Sequence, residues 1–151
     1  MLLDRFNRRI DYLRISVTDR CNHRCTYCMP EAPFVHKSHS EILSYEQIES
    51  LAKVAAKMGI TKVRLTGGEP LVRKNIEQLV AKLASIEGIN EVCMTTNGSL
   101  LADMAAKLKR CGLSRVNISI DSLNPDRYRR ITRRGDLRQA LAGVDAAIKA
   151  E

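Results

Sequence analysis

No stretch of this sequence stays apolar for the ~20 residues that a membrane-spanning helix needs, which argues against an integral membrane protein. No secretory signal is legible at the start, because Met1-Leu2-Leu3 runs straight into Asp4 and Arg5. That opening is also too short and too acidic for a transit peptide, so the expected location is cytoplasmic. An even set of cysteines is missing as well. There are five, Cys21, Cys25, Cys28, Cys93 and Cys111, and an odd count without a secretory signal argues against a disulfide framework. Acidic residues are the minority, 17 against 25 basic ones, for a formal net charge of +8. A basic chain invites the thought of nucleic acid or another anionic partner. Arg127, Arg129, Arg130, Arg133, Arg134 and Arg138 crowd one stretch, but Tyr128 apart it has too little aromatic content for a base-stacking surface. The stretch reads either as a solvated loop and helix start or as an anion site for phosphates. Neither nucleic acid nor a membrane is expected as a partner.

What is present begins with length and core. The chain has 151 residues, 44% of them hydrophobic, enough for one domain with a real core. A short pattern then recurs: Gly59-Ile60-Thr61-Lys62-Val63, Gly88-Ile89-Asn90-Glu91-Val92 and Gly112-Leu113-Ser114-Arg115-Val116. Each glycine suits the left-handed position just past a helix end, and each valine opens a strand. Between these units lie apolar stripes at helical spacing. Ser44 with Gln47 reads as a capping box ahead of Ile48, Leu51, Ala52, Ala55 and Met58. Ile76, Leu79, Val80 and Leu83 form a second stripe, and Met104, Ala105 and Leu108 a third. Leu137, Leu141, Val144 and Ile148 form a fourth, and all these residues are expected in the core.

Strands alternating with helices imply parallel βαβ units. Four strands are expected, at about 11–18, 61–66, 91–97 and 115–121. Each alternates rather than running apolar throughout. Leu13, Ile15 and Val17 oppose Arg14, Ser16 and Thr18; Val63 and Leu65 oppose Lys62, Arg64 and Thr66. Val92 and Met94 oppose Cys93, Thr95 and Asn97; Val116, Ile118 and Ile120 oppose Asn117, Ser119 and Asp121. The apolar face must lie under the helices. The polar face would cost about 1–3 kcal/mol for each group buried without a partner. A wet concave cavity holding a polar ligand is therefore expected there. By the repeat, another glycine and strand should follow Glu151, so the chain reads as part of a longer protein. The expected organisation is an N-terminal arm over 1–10 and an α/β core over 11–151.

Chemistry concentrates after the first expected strand, where a C-x3-C-x2-C spacing places Cys21, Cys25 and Cys28 in one loop. The carboxyl ends of parallel strands are where catalytic loops sit. Thiolates suit iron–sulfur clusters and zinc. Three thiolates leave one iron of a [4Fe–4S] cluster open to a ligand. Structural zinc needs a closed tetrahedron, for which His23, His36 or His39 could supply the fourth ligand. The second signal is Thr66-Gly67-Gly68-Glu69-Pro70, directly after the second strand. Paired glycines let a backbone approach a ligand closely, and Glu69 could accept hydrogen bonds from an ammonium group.

Together, the cysteine loop and Gly-Gly-Glu-Pro one strand later resemble the radical S-adenosylmethionine (SAM) superfamily. The fold implied is a partial (β/α) barrel of that type, with four βα units, parallel strands and a polar concave face. Residues 12–22, 64–73, 95–98 and 116–123 are similar to the GTP 3′,8-cyclase family of molybdenum-cofactor biosynthesis. The resemblance implies that Cys21, Cys25 and Cys28 hold a [4Fe–4S] cluster. It implies that SAM, bound at the cluster, is cleaved reductively to a 5′-deoxyadenosyl radical, which turns GTP into 3′,8-cyclo-7,8-dihydro-GTP. It implies contacts to SAM from Tyr27, Gly67, Gly68, Glu69 and Ser119, and to GTP from Arg14, Arg64 and Thr95. The partners implied are GTP, an electron-donor protein and a second copy of the chain. A radical SAM enzyme acting on a peptide and a non-catalytic zinc module are the alternatives. Two departures stand out. Asn7 lies where the family usually has Gly, and the family's three further cysteines, which hold a second [4Fe–4S] cluster, are not reproduced by Cys93 and Cys111. Both of these are expected to be structural thiols, and this chain alone is expected not to turn over GTP.

Overall fold

A computed structural model describes residues 2–30 and 35–151. Four parallel strands form one sheet in the order β3-β4-β5-β6: β3 (Tyr12–Ser16), β4 (Lys62–Thr66), β5 (Glu91–Thr96) and β6 (Arg115–Ile118). Each strand pairs with its sequence neighbour, as the expected βαβ units require. The sheet is open among the described residues, with β3 and β6 at its edges. Residues 2–10 form a separate hairpin in which β1 (Leu2–Leu3) pairs antiparallel with β2 (Arg9–Ile10). Its turn explains Asn7: the residue has φ 61°, a left-handed conformation that Gly adopts freely and Asn tolerates better than most.

The crossover helices are α1 (Tyr45–Lys57), α2 (Ile76–Ala84) and α3 (Ala105–Arg110); after β6 come α4 (Pro125–Thr132) and α5 (Leu137–Lys149). The capping box at α1 is present, with Gln47 N donating to Ser44 Oγ at 3.2 Å and Ser44 N to Gln47 Oε1 at 2.8 Å. Gly59 and Gly112 have φ of 105° and 98° just past the ends of α1 and α3, where a side chain would strain the backbone. The core lies between sheet and helices, with Val63, Leu65, Val92 and Met94 packed against Ile48, Ala52, Ile76, Leu79 and Leu108. Each such Val, Leu, Ile or Met side chain contributes about 1.5–3 kcal/mol on burial.

Three expectations need correction. Leu51 and Met58 on α1, and Leu141 and Ile148 on α5, belong to core stripes by spacing yet are exposed. On both helices the covered arc is therefore narrower than the apolar one. The Arg127–Arg138 stretch is more than a loop and helix start: it contains α4, whose one aromatic, Tyr128, is buried. And the polar sheet face is open rather than enclosed, because Arg14, Ser16, Asn117 and Ser119 are exposed. Two cavities exist elsewhere. One of about 450 Å³ lies behind the cysteine loop between Thr18, Arg20, Tyr45 and Arg73. The other, of about 550 Å³, is an apolar groove beside β6 between Leu101, Val116, Ile118 and Ile148. No helix of the described residues is long and apolar enough to cross a membrane.

Candidate functional site at the carboxyl ends of the strands

The backbone leaving β3 continues the sheet for one more bond, Val17 N to Thr66 O at 2.9 Å, and then enters the cysteine loop. The loop after β4 packs on that stem. Gly68 N donates to Thr18 O and Glu69 N to Arg20 O, both at 2.8 Å. The glycines are needed for this approach: a Cβ on Gly67 would lie 2.5 Å from Thr18 O, and one on Gly68 2.3 Å from Arg20 O. The close contact expected with a ligand is here a contact between two loops, which fixes where the cysteine loop begins.

Glu69 extends the same function. Its side chain is 1% exposed and accepts from Leu71 N at 3.0 Å, Thr96 Oγ1 at 2.7 Å and Asn97 N at 2.7 Å. Burial pushes its carboxyl above the usual range, and these three donors pull it back. Both carboxylate oxygens are thus occupied by the loops after β4 and β5. These three bonds leave one of a carboxylate's roughly four acceptor positions for the ammonium contact the motif suggested. Asn97 Nδ2 then donates to Asn22 Oδ1 at 2.8 Å and Asn22 Nδ2 to Ser99 Oγ at 2.8 Å, tying the β5 loop to the cysteine loop. A fourth anchor comes from α4, whose carboxyl end accepts from Arg24 N (Thr132 O, 3.0 Å) and Thr26 N (Ile131 O, 2.9 Å).

Cys21 and Cys25 are partly buried, Cys28 is exposed, and none is in a disulfide. Burial is the main cause raising the thiol pKa of Cys21 and Cys25, and each also feels a neighbouring cysteine of the loop. They are thiols until a metal takes the proton's place. Among the described residues no three Cys, His, Asp or Glu side chains stand together as a preformed ion site. The fourth ligand that zinc would need is not at hand in the described residues. His23 is 3% exposed with its ring edge-on to Tyr128 at 6.2 Å, and His36 faces Asp19 at 3.3 Å. The His39 side chain lies outside the described residues. Among the described residues, three free thiols stand on one anchored loop and no histidine completes a tetrahedron with them.

The other expected residues line the open face beside this loop. Arg14 and Arg64 are direct register partners on adjacent strands. Two like charges side by side cost energy that an anion between them would offset. Arg64 Nη1 donates to Thr95 Oγ1 at 3.3 Å and to Asn117 Oδ1, so its guanidinium crosses three strands. Ser119 is exposed one residue beyond β6, with its N–H bonded to Thr96 O at 2.9 Å. Tyr27 is 69% exposed, and its hydroxyl is shared between the Asp121 carboxylate oxygens at 3.0 and 3.2 Å. Burial of the phenol group and that carboxylate push its pKa up. Cys93 and Cys111 stay apart from the loop. Cys93 is fully buried with its thiol on Glu91, and Cys111 caps α3.

Sequence reasoning placed Asn117 on the polar face but gave it no role, although it shares that face with Thr95 and Ser119. Asp121, Asn22 and Ser99 were missed as partners. Nothing local in the chain marks a contact between residues 27 and 121 or 22 and 99.

Comparison with known proteins agrees with this geometry. Residues 15–151 match the family model described as "Radical SAM superfamily". The chain is 54% identical over 148 residues to a protein of Petrotoga mobilis named GTP 3′,8-cyclase, covering 98% of this chain and 46% of that one. It is 55% identical over 147 residues to the protein of the same name from Moorella thermoacetica, again covering 46% of it. The chain therefore spans about half the length of the curated relatives it matches. Among solved structures it is similar to HydG, a maturase of the [FeFe]-hydrogenase, with a TM-score of 0.74 and 18% identity over 92% of this chain and 32% of that one. It is also similar to native anSMEcpe with bound AdoMet, at 0.69 and 22% over 92% of this chain and 40% of that one. At these identities the two likenesses speak for the fold.

Proposed function

The chain belongs to the radical SAM superfamily, and from that premise we propose that it is the cluster-bearing part of a GTP 3′,8-cyclase of molybdenum-cofactor biosynthesis. The observation that carries the proposal is identity above 50%, over nearly the whole chain, to proteins named for that activity. Membership brings a [4Fe–4S] cluster and SAM as cofactors. When bound, they supply the one-electron chemistry that generates a hydrogen-abstracting 5′-deoxyadenosyl radical from SAM.

The chain's own residues position and protect. Cys21, Cys25 and Cys28 would hold the cluster. Tyr27, Gly67, Gly68 and Ser119 would orient SAM. Glu69, which also joins two loops, would meet the SAM ammonium group with its remaining acceptor capacity. Arg14 and Arg64 would bind the triphosphate of GTP, since a guanidinium fork can hold two phosphate oxygens. Thr95 and Asn117 hold the Arg64 guanidinium in place for that contact. An electron donor, a second copy of the chain and a cytoplasmic setting belong to the same reading.

Anaerobic reconstitution with iron and sulfide, followed by EPR of the dithionite-reduced protein, tests it. A [4Fe–4S]⁺ signal that changes on adding SAM is expected. Stoichiometric zinc with no iron after reconstitution would overturn the cluster assignment. GTP that fails to protect Arg14 and Arg64 from chemical modification would overturn the substrate.

A further inference from the structure

Helix α4 is polar nearly all round, and only Tyr128 and Thr132 on it are buried. Tyr128 is 1% exposed, and its location is over-determined. The carboxyl end of the helix is bonded to the cysteine loop on both sides of Cys25, through Arg24 N and Thr26 N. Thr132 Oγ1 donates to Tyr128 O at 2.8 Å and accepts from Gly135 N at 3.0 Å, which locks the turn beneath the ring. Gly135 leaves no slack: a Cβ there would lie 2.8 Å from the Tyr128 ring and 3.0 Å from the His23 ring. The ring is thus wedged between His23, which sits between Cys21 and Cys25, and the start of α5.

Its hydroxyl is the anomaly. Among the described residues, Tyr128 Oη is the one buried side-chain nitrogen or oxygen without a hydrogen-bond partner. A buried hydroxyl left unpaired costs about 1–3 kcal/mol, and a phenylalanine would fill the same space without that cost. Among the described residues no acceptor meets it, so one would have to come from outside them. Burial first, and then the charges of Cys25, Asp121 and Asp136, push the phenol pKa up to about 12, so the group is a donor at any physiological pH. The ring that carries it packs edge-on to His23, in the loop that would carry the cluster, whose sulfurs are acceptors.

We propose that the Tyr128 hydroxyl donates a hydrogen bond to a sulfur of the cluster held by Cys21, Cys25 and Cys28, and thereby raises its reduction potential. Hydrogen bonds to cluster sulfurs stabilise the more negatively charged, reduced state. Tyr128 is then a positioning and tuning residue that makes the cluster easier to charge. The inference rests on the cluster reading of the cysteine loop.

The test compares wild type, Tyr128→Phe and a protein carrying 3,5-difluorotyrosine at position 128, all reconstituted with iron and sulfide. The readouts are iron content, the midpoint potential of the cluster, and thermal stability before reconstitution. We expect Tyr128→Phe to keep its iron and to shift the potential negative. The more acidic fluorinated phenol should shift it positive. The cluster-free Tyr128→Phe chain should be at least as stable as wild type, because it loses an unpaired group. Unchanged potentials in both altered proteins at full iron content would overturn the proposal. A cluster-free Tyr128→Phe chain less stable than wild type would do the same, since the hydroxyl would then have a protein partner. If Tyr128→Phe fails to hold its cluster, the sign of the fluorotyrosine shift decides. Wild type that takes up no cluster would sink the reading of the cysteine loop itself, and this inference with it.

Discussion

On the helix-covered face of the sheet Val63, Leu65, Val92 and Met94 are almost completely buried, whereas on the other face Arg14, Ser16, Asn117 and Ser119 stand in solvent. The first face is held by close packing, in which neighbours are interchangeable so long as volume is kept. The second is held by particular donors meeting particular acceptors: Arg64 with Thr95 and Asn117, Glu69 with Thr96 and Asn97, Asn97 with Asn22.

The comparison can be broken at four points, taken from the largest effect down. Leu65→Ala removes a fully buried side chain from the packed face and should cost about 2–5 kcal/mol in denaturant unfolding. A loss well below that range would mean this face is less tightly packed than its burial indicates. Glu69→Gln keeps the shape but turns an NH₂ toward the Asn97 or Leu71 amide, costing about 1–3 kcal/mol. Because the loops it joins frame the cysteines, reconstituted iron should fall with it; full iron at reduced stability would separate the loops from the site. Arg64→Met should leave the unfolding midpoint near wild type but weaken GTP binding roughly ten- to hundredfold by calorimetry, the loss of one charge-assisted contact. An unchanged affinity would place the triphosphate elsewhere.

The smallest effect lies on the exposed flank of the helical layer. Lys53 and Lys82, each 2.6 Å from the Glu49 carboxylate, hold its pKa down to about 2. A depressed carboxylate stabilises the fold above its ordinary pKa of 4.5 and loses that contribution as pH falls toward 2. Glu49→Gln should therefore melt slightly below wild type at pH 7, with the gap closing by about pH 2. A gap that persists in acid would mean packing rather than charge.

The chain's alternation made the parallel sheet, its covered face and the arginines of its open face legible in advance, and cysteine spacing with Gly-Gly-Glu-Pro pointed to the candidate site. Strand and helix periods are local, so a run of Val63, Arg64 and Leu65 announces its two faces without reference to any distant residue. The width of each covered helical arc was not legible. Leu51 and Ile148 satisfy the period yet stand exposed, because what covers a helix is set by tertiary packing and not by its own spacing.

The sequence by itself determined which residues could ligate a cluster and which strand faces they would stand beside, because ligand chemistry and side-chain alternation are properties of residue type and spacing. Only the tertiary structure decided that Gly67 and Gly68 serve a loop-to-loop contact, that Glu69 is a buried junction, and that Tyr128 lies with an unpaired hydroxyl against the cysteine loop. Those roles join residues far apart in the chain, and a contact set by the packing of loops from different βα units leaves no periodic trace in any one of them.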